Sequence, residues 1–268
     1  MAQSTEALRD VSRPVTGFRR YAWLLLELVV RDLRLRYRGT YVGFLWTLLN
    51  PVIYMAIYTF VFGFMLHVGT ERYPAYLLSG LVPWTWFMSA VTQGVTAIQD
   101  GRMYVGKTVF PTEALVAVPV LSNMINFVLS LPLLLIVAAI FRVHLGWSLS
   151  LLPVVVAIQY VLTYGFLLLL STYNVFFRDI QQLIGLFLTL VFFINPIFYT
   201  LAQVPDALRP YLLADPLTPI IIAYQAIFLH GTWPAVVPLA YAALFSIALY
   251  LVGKVVFNRY HDAFGEYV

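Results

Sequence analysis

Cysteine is absent from all 268 residues, which removes disulfides, thiolate metal sites and cysteine nucleophiles together. Charge is nearly as scarce: Asp, Glu, Lys and Arg make up 10 % of the chain, against about 25 % in an ordinary soluble domain. Clustered metal ligands and paired acid and base groups are missing too. The histidines His67, His144, His230 and His261 fall on different loops, and Glu113, Asp179 and Asp215 stand apart from one another. No ionisable residue lies near the middle of an apolar run, where ion-coupled carriers keep theirs, so the energy for any transport is expected from elsewhere. MAQSTEALRDVSRPVTGFRR has no apolar h-region, so the N-terminus is expected to stay in the cytoplasm.

Hydrophobic residues supply 62 % of the chain, the composition of a polytopic membrane protein. The net charge of +4 does not call for nucleic acid. The basic residues gather beside apolar runs, where membrane orientation and anionic membrane lipid account for them. Arg31, Arg34, Arg36 and Arg38 lead directly into Tyr41 to Leu66, twenty-six residues without a charge. About 20 apolar residues span a bilayer as a helix, so this run is long enough. Basic flanks resist translocation and hold its start on the cytoplasmic side.

Before it, residues 21–38 read as a helix on the membrane surface, after a flexible segment 1–20. Leu26, Val30, Leu33 and Tyr37 form one stripe, Glu27, Arg31, Arg34 and Arg38 another, and Trp23 is placed at headgroup level. A topogenic anchor and a contact surface for a cytoplasmic partner both fit this amphipathicity. The spans expected are 41–66, 74–99, 114–141, 147–177, 180–200 and 235–256, followed by a cytoplasmic tail, 259–268. Between spans five and six the chain is rich in proline, and PLTPIIIAYQAIFL is too short to cross. Outer helices within 203–230, re-entrant or interfacial, fit best. The fold class expected is therefore an all-α membrane protein with six transmembrane helices, an interfacial N-terminal helix and a short outer helix pair. On this path the cytoplasmic segments hold 13 Lys and Arg, against Arg72, Arg142 and Arg209 outside.

Three patterns carry chemistry or imitate it. Gly101 to Thr108, GRMYVGKT, satisfies G-x-x-x-x-G-K-[ST], the form of a phosphate-binding loop. It follows a membrane helix rather than a strand, and Pro111 interrupts what comes after, so nucleotide binding is not expected here. Asn50-Pro51-Val52-Ile53-Tyr54 and Asn195-Pro196-Ile197-Phe198-Tyr199 share NP, two apolar residues and Tyr. Either the first and fifth spans are structurally equivalent there or the match is coincidence. A proline deep in a helix frees a carbonyl that a neighbour must satisfy. The third pattern is aromatic. Phe, Tyr and Trp reach 16 %, and Trp84 and Trp86 come about 15 Å into the second span at 1.5 Å per residue. Trp46, Asn50, Tyr54, Tyr58 and Phe62 run at i, i+4 along the first span, and Phe192, Asn195 and Tyr199 repeat the arrangement in the fifth. Helix packing and an aromatic wall for a sliding glycan both fit such stripes, because Tyr and Asn tips need polar partners in hydrocarbon.

The basic lead VVRDLRLRYRGTYVGFLWTLLNPV, the K-x-x-F-P-x-E of Lys107, Phe110, Pro111 and Glu113, the F-R-D turn of Phe177, Arg178 and Asp179, and the proline-broken segment before the last span resemble the permease subunit of ABC-2 type transporters, in their polysaccharide-export branch. The resemblance covers nearly the whole chain from about Tyr21. It implies a homodimer in the bacterial inner membrane, both termini cytoplasmic, working with two copies of a separate cytoplasmic ABC ATPase. ATP and Mg would bind that partner, and this chain would bind no cofactor or metal. The implied cargo is a polyprenyl-diphosphate-linked polysaccharide such as O-antigen, with teichoic acid, capsule, drug or lipid as other cargoes of the same architecture. Carried over by position, Arg31, Arg34, Arg38, Arg102, Lys107, Phe110 and Glu113 become coupling candidates, and the aromatic and amide residues of the two stripes, with Trp84 and Trp86, become wall candidates. A membrane-embedded glycan transferase or polymerase is the reading from a different class, and the scarcity of acidic groups counts against it.

Overall fold

The computed structural model describes residues 18–39, 41–68, 72–104, 111–143 and 146–267. The regular structure of the described residues is all helix, with no strand among them. The chain opens with α1, Phe18–Tyr37, and continues as α2, Trp46–Tyr58, entered by a 3-10 turn at Gly43–Leu45 and prolonged by a π-helical stretch, Thr59–Met65. Then come α3, Tyr73–Gly94, a short α4, Ala97–Asp100, and the long α5, Thr112–Ile140. A 3-10 turn at Trp147–Leu151 leads into α6, Leu152–Phe176, and α7, Ile180–Ile194, follows. The last third holds α8, Arg209–Ala214, α9, Leu217–Gln225, with its π continuation Ala226–His230, then α10, Val236–Tyr260, and α11, Phe264–Tyr267.

Four helical stretches are long and apolar enough to cross a membrane: Trp46–Met65, Thr112–Ile140, Trp147–Phe176 and Val236–Tyr267. Helix α3 sits at the centre, with Leu77, Leu78, Leu81, Ala90 and Val91 all buried, and its neighbours include α2, α5, α6 and α9. Backbones approach most closely where α6 crosses α10. A Cβ added at Gly165 would stand 2.6 Å from the Tyr250 backbone, and one at Gly253 would stand 2.6 Å from Gly165 O. Small residues at such a crossing bring two helices within van der Waals reach, which drives association where lipid offers no hydrophobic gain.

Several expected boundaries move. The fifth span, expected over 180–200, ends at Ile194, because the residue before a proline is pushed out of the helical region and Asn195 takes ψ 144°. Phe192, Asn195 and Tyr199 therefore do not share a helix. Pro51, by contrast, lies inside α2, so the two NP patterns are not structurally equivalent. The carbonyl that Pro51 frees is that of Thr47, and Ser130 Oγ lies 3.4 Å from it while keeping a 2.9 Å bond to Asn126 O. The second span breaks after Gly94, short of the expected Gln99. On α1 the buried position is Val29, 2 % exposed, whereas Leu26 of the expected apolar stripe is 59 % exposed. The stretch 217–230 is a buried helix: Tyr224, Ile227 and Phe228 belong to the core. The tail folds back, with Phe264 buried against Phe257 and His261, and Tyr267 against Phe176.

Candidate functional site

Helices α1, α2, α3, α5 and α7 enclose a cavity of about 700 Å³. Its walls change character along its length. Near α1 it is polar: Arg36 and Tyr37, then Thr47 and Asn50 of α2, Gln93 of α3, and Asn123, Asn126 and Ser130 of α5. Arg36 organises this end. Its Nη1 donates to Asn123 Oδ1 at 2.9 Å, and its Nη2 donates to Asp32 Oδ2 at 2.8 Å and to Gln93 Oε1 at 2.6 Å. Asn123 Nδ2 also donates to Gln93 Oε1, at 3.0 Å. Tyr37 donates to Asn126 Oδ1 at 3.0 Å and lies 2.8 Å from Thr47 Oγ1. These bonds fasten the end of α1 to α2, α3 and α5, so a displacement of α1 reaches the cavity wall through short, charge-assisted contacts.

Toward the other end the wall is aromatic. Tyr54 stacks on Tyr58 with ring centroids 6.0 Å apart, and Tyr58 leads into a knot of rings. At its centre is Phe198, 5.0 Å from Tyr58, 4.6 Å from Phe62, 4.8 Å from Phe192 and 5.6 Å from Phe193. Trp84 stacks on Phe192 at 5.4 Å. Each such pair adds about 0.5–1.5 kcal/mol beyond burial, so the knot holds α2, α3 and the segment after α7 together. That segment is anchored further by Tyr76 Oη and Gln225 Nε2, which both donate to Pro196 O, at 2.8 and 2.7 Å.

Of the expected wall residues, Trp46, Asn50, Tyr54, Tyr58, Trp84, Trp86 and Phe192 line the cavity. Trp84 and Trp86 are only 2 % exposed and act mainly as packing, with Trp86 Nε1 donating to Val120 O at 3.2 Å. Tyr54 is 47 % exposed and Trp46 39 %, and Asn50, also exposed, makes no side-chain hydrogen bond among the described residues. Phe62 belongs to the aromatic knot rather than to the lining. Asn195 and Tyr199 do not line the cavity either. Asn195 is buried between Asp215, which accepts from its Nδ2 at 2.8 Å, and Thr218, which donates to its Oδ1 at 3.2 Å. The Tyr199 hydroxyl donates to Ile194 O. Arg36, Gln93, Asn123 and Asn126 were not expected in the wall. The i, i+4 spacing of Asp32 and Arg36 is the one signal in the sequence that points to them.

The expected coupling residues divide. Arg34, Arg38 and Arg102 are exposed. Arg31 donates to Tyr104 Oη at 2.7 Å and lies 5.7 Å over its ring, tying α1 to the turn after α4. Glu113 is turned toward α10, where it pairs with Lys254, beside a 2.7 Å bond between Thr112 Oγ1 and His261 Nε2. Lys107 and Phe110 lie outside the described residues. Gly101, the first glycine of the phosphate-loop pattern, follows helix α4 and is buried under Leu115. A helix and not a strand precedes it, and residues 105–108 of the pattern lie outside the described residues. Among the described residues no three His, Asp or Glu side chains gather as metal ligands.

Comparison with known proteins shows the family. The family model described as ABC-2 type transporter matches residues 24–229. The chain is 37 % identical over 256 residues to the O-antigen export system permease protein RfbA of Myxococcus xanthus, covering 95 % of this chain and 98 % of that protein. It is 29 % identical over 248 residues to a protein of the same name from Klebsiella pneumoniae, covering 91 % and 94 %. With the polysialic acid transport protein KpsM of Escherichia coli it shares 25 % identity over 260 residues, 92 % of this chain and 97 % of that one. A bundle of apolar helices around a polar and aromatic cavity, matched over most of its length in this way, belongs to the ABC-2 type transporter family and is a transporter component, not an enzyme.

Proposed function

We propose that the chain is the transmembrane subunit of an ATP-driven exporter that moves lipid-linked polysaccharide, of the O-antigen kind, across the bacterial inner membrane. The observation that carries this reading is the cavity itself: amide and hydroxyl groups at one end, Tyr and Trp faces at the other. Sugar rings present hydroxyls at their rims and C–H groups on their faces, so a wall that offers hydrogen-bonding tips at one end and aromatic planes at the other suits a chain of them sliding past. The names of the relatives, two O-antigen permeases and a polysialic acid transport protein, point to the same class of cargo.

The flank of the cavity formed by α2 and α7 is open. Ile53 and Ile57 on α2, Phe60 on its π-helical continuation, and Leu183, Leu186 and Leu190 on α7 are all exposed. A second copy placed against this flank turns two half-cavities into one conduit, so the working unit is a homodimer. In this reading α2, α3, α5, α6, α7 and α10 are the six spans, α8 and α9 sit on the outer side, and both termini are cytoplasmic, in keeping with the excess of Lys and Arg there. Two copies of a cytoplasmic ABC ATPase bind ATP and Mg and act on α1 and the turn after α4, where Arg34, Arg38 and Arg102 are exposed.

The test is deletion and complementation. A strain lacking this chain should lose surface polysaccharide and accumulate the lipid-linked polymer inside. Wild type should restore export, and Tyr54→Ala should restore it only weakly while still co-purifying with the ATPase. Unchanged surface polysaccharide in the deletion strain would end this reading.

A further inference from the structure

Arg36 is the one charged residue among the described residues that line the main cavity. It also lines a second cavity of about 460 Å³, together with Arg31, Asp32, Gln93, Asp100 and Tyr104. Arg36 and Gln93 are the residues common to both linings, so the guanidinium borders both cavities. Three acceptors on α1, α3 and α5 fix its plane. A guanidinium has five N–H donors. The three bonds use both on Nη2 and one on Nη1, which leaves the Nε donor and the second Nη1 donor without a hydrogen bond among the described residues. Its partner Asp32 is 36 % exposed in its side chain and lines only the second cavity, so the carboxylate can exchange for another anion.

We infer that Arg36 is a phosphate-binding residue at the mouth of the conduit, taking the phosphate ester head of a lipid-linked cargo in place of Asp32. The inference rests on the export reading above. When Asp32 leaves, the Nη2 donor it held joins the spare Nε donor on one edge of the guanidinium, and that pair matches two oxygens of one phosphate, which a lysine in the same place would meet only as a point charge. The rest of the wall is uncharged, so one cation at the mouth holds the head while neutral sugars pass beyond it. Phosphate esters reach this site from two sources, the diphosphate of a polyprenyl carrier or the headgroup of an ordinary anionic lipid.

Equilibrium binding to the purified full-length chain in phosphatidylcholine nanodiscs separates them. The probe is radiolabelled farnesyl diphosphate, with farnesol as the uncharged control. Arg36→Gln should weaken farnesyl diphosphate about tenfold or more and leave farnesol unchanged, in line with a lost charge-assisted pair. Asp32→Asn, which keeps Arg36 and its amide partners, should tighten farnesyl diphosphate several-fold. Undiminished binding by Arg36→Gln overturns the site. If that variant fails to fold, Asp32→Asn decides: equal or weaker binding there overturns it. Displacement by phosphatidylglycerol at equal concentration assigns the phosphate to membrane lipid and overturns the cargo assignment. Displacement by glucuronate at equal concentration overturns phosphate recognition. In cells, normal export by an Arg36→Gln strain rejects this role for Arg36, whereas the export reading itself falls only if deleting the whole chain leaves surface polysaccharide intact.

Discussion

Asn195 holds Asp215 by a 2.8 Å hydrogen bond from its amide, across the break where α7 stops and the chain turns toward α8. Leu217 N donates to the other carboxylate oxygen at 3.2 Å, so two donors support a half-buried carboxyl at the start of α9. This small network, with Thr218 on the far side of Asn195, links α7 to the core helix α9.

Replacing Asn195 with Ala removes a donor from Asp215 and leaves the Thr218 hydroxyl unpaired. A loss of about 1–3 kcal/mol is expected for such a buried network. Asn50→Ala should cost almost nothing in stability, because Asn50 is exposed to the cavity. Thermal melts of the two variants in detergent check this, and equal losses would mean that Asn50 is also structural.

Burial raises the Asp215 carboxyl above its ordinary 3.8, against the opposing bonds from Asn195 and Leu217. The folded chain then holds this proton more tightly than the unfolded chain. The stability from the protonated form is present below the ordinary value and is lost as pH rises through the raised one. Asp215→Asn should remove that slope. Melting temperatures followed between about pH 4 and pH 7 test it, and parallel curves for variant and wild type would refute it.

Ala at Gly165 or Gly253 puts a methyl where α6 and α10 touch backbone to backbone. Neither backbone can withdraw cheaply, so roughly 1–3 kcal/mol of overpacking is expected at each position. Ala at Gly185, whose Cβ would meet nothing within 4 Å, is the neutral comparison. A melt of Gly165→Ala matching that of Gly185→Ala would contradict the tight crossing.

Glu113 and Lys254 tie the start of α5 to α10, and the pair is partly shielded, with side-chain exposures of 23 % and 34 %. A double-mutant cycle of Glu113→Gln and Lys254→Met should return a coupling on the order of 1 kcal/mol. ATPase binding should survive Glu113→Gln, because the carboxylate is engaged inside the chain. Loss of co-purification with that variant alone would return Glu113 to the contact surface.

The sequence announced most of the helices, because apolar runs bounded by Arg, Pro and Gly leave few other choices in a membrane. It announced Tyr54 and Tyr58 for the same reason, through i, i+4 spacing on a single helix. Phe198 was invisible to that logic: it lies beyond the end of α7 and meets Tyr58 only through tertiary folding. Arg36 was hidden among its neighbours, since the rotation of α1 is set by Val29 against the bundle and not by the spacing of charges. The two NP patterns read alike but folded differently. Pro51 found Ser130 to quiet its freed carbonyl and stayed helical, whereas Asn195 found Asp215 and Thr218, and the helix ended.

The early stop of α7 bears on the surrounding lipid. Fifteen residues rise about 22 Å, while the hydrocarbon of a bilayer is about 30 Å deep. In the six-span arrangement proposed above, the non-helical residues 195–200 cover the remaining depth, and Pro196 O there is met inside the protein by Tyr76 and Gln225. Acyl chains would meet irregular polar backbone on that flank, so a second copy suits it better than lipid as a neighbour.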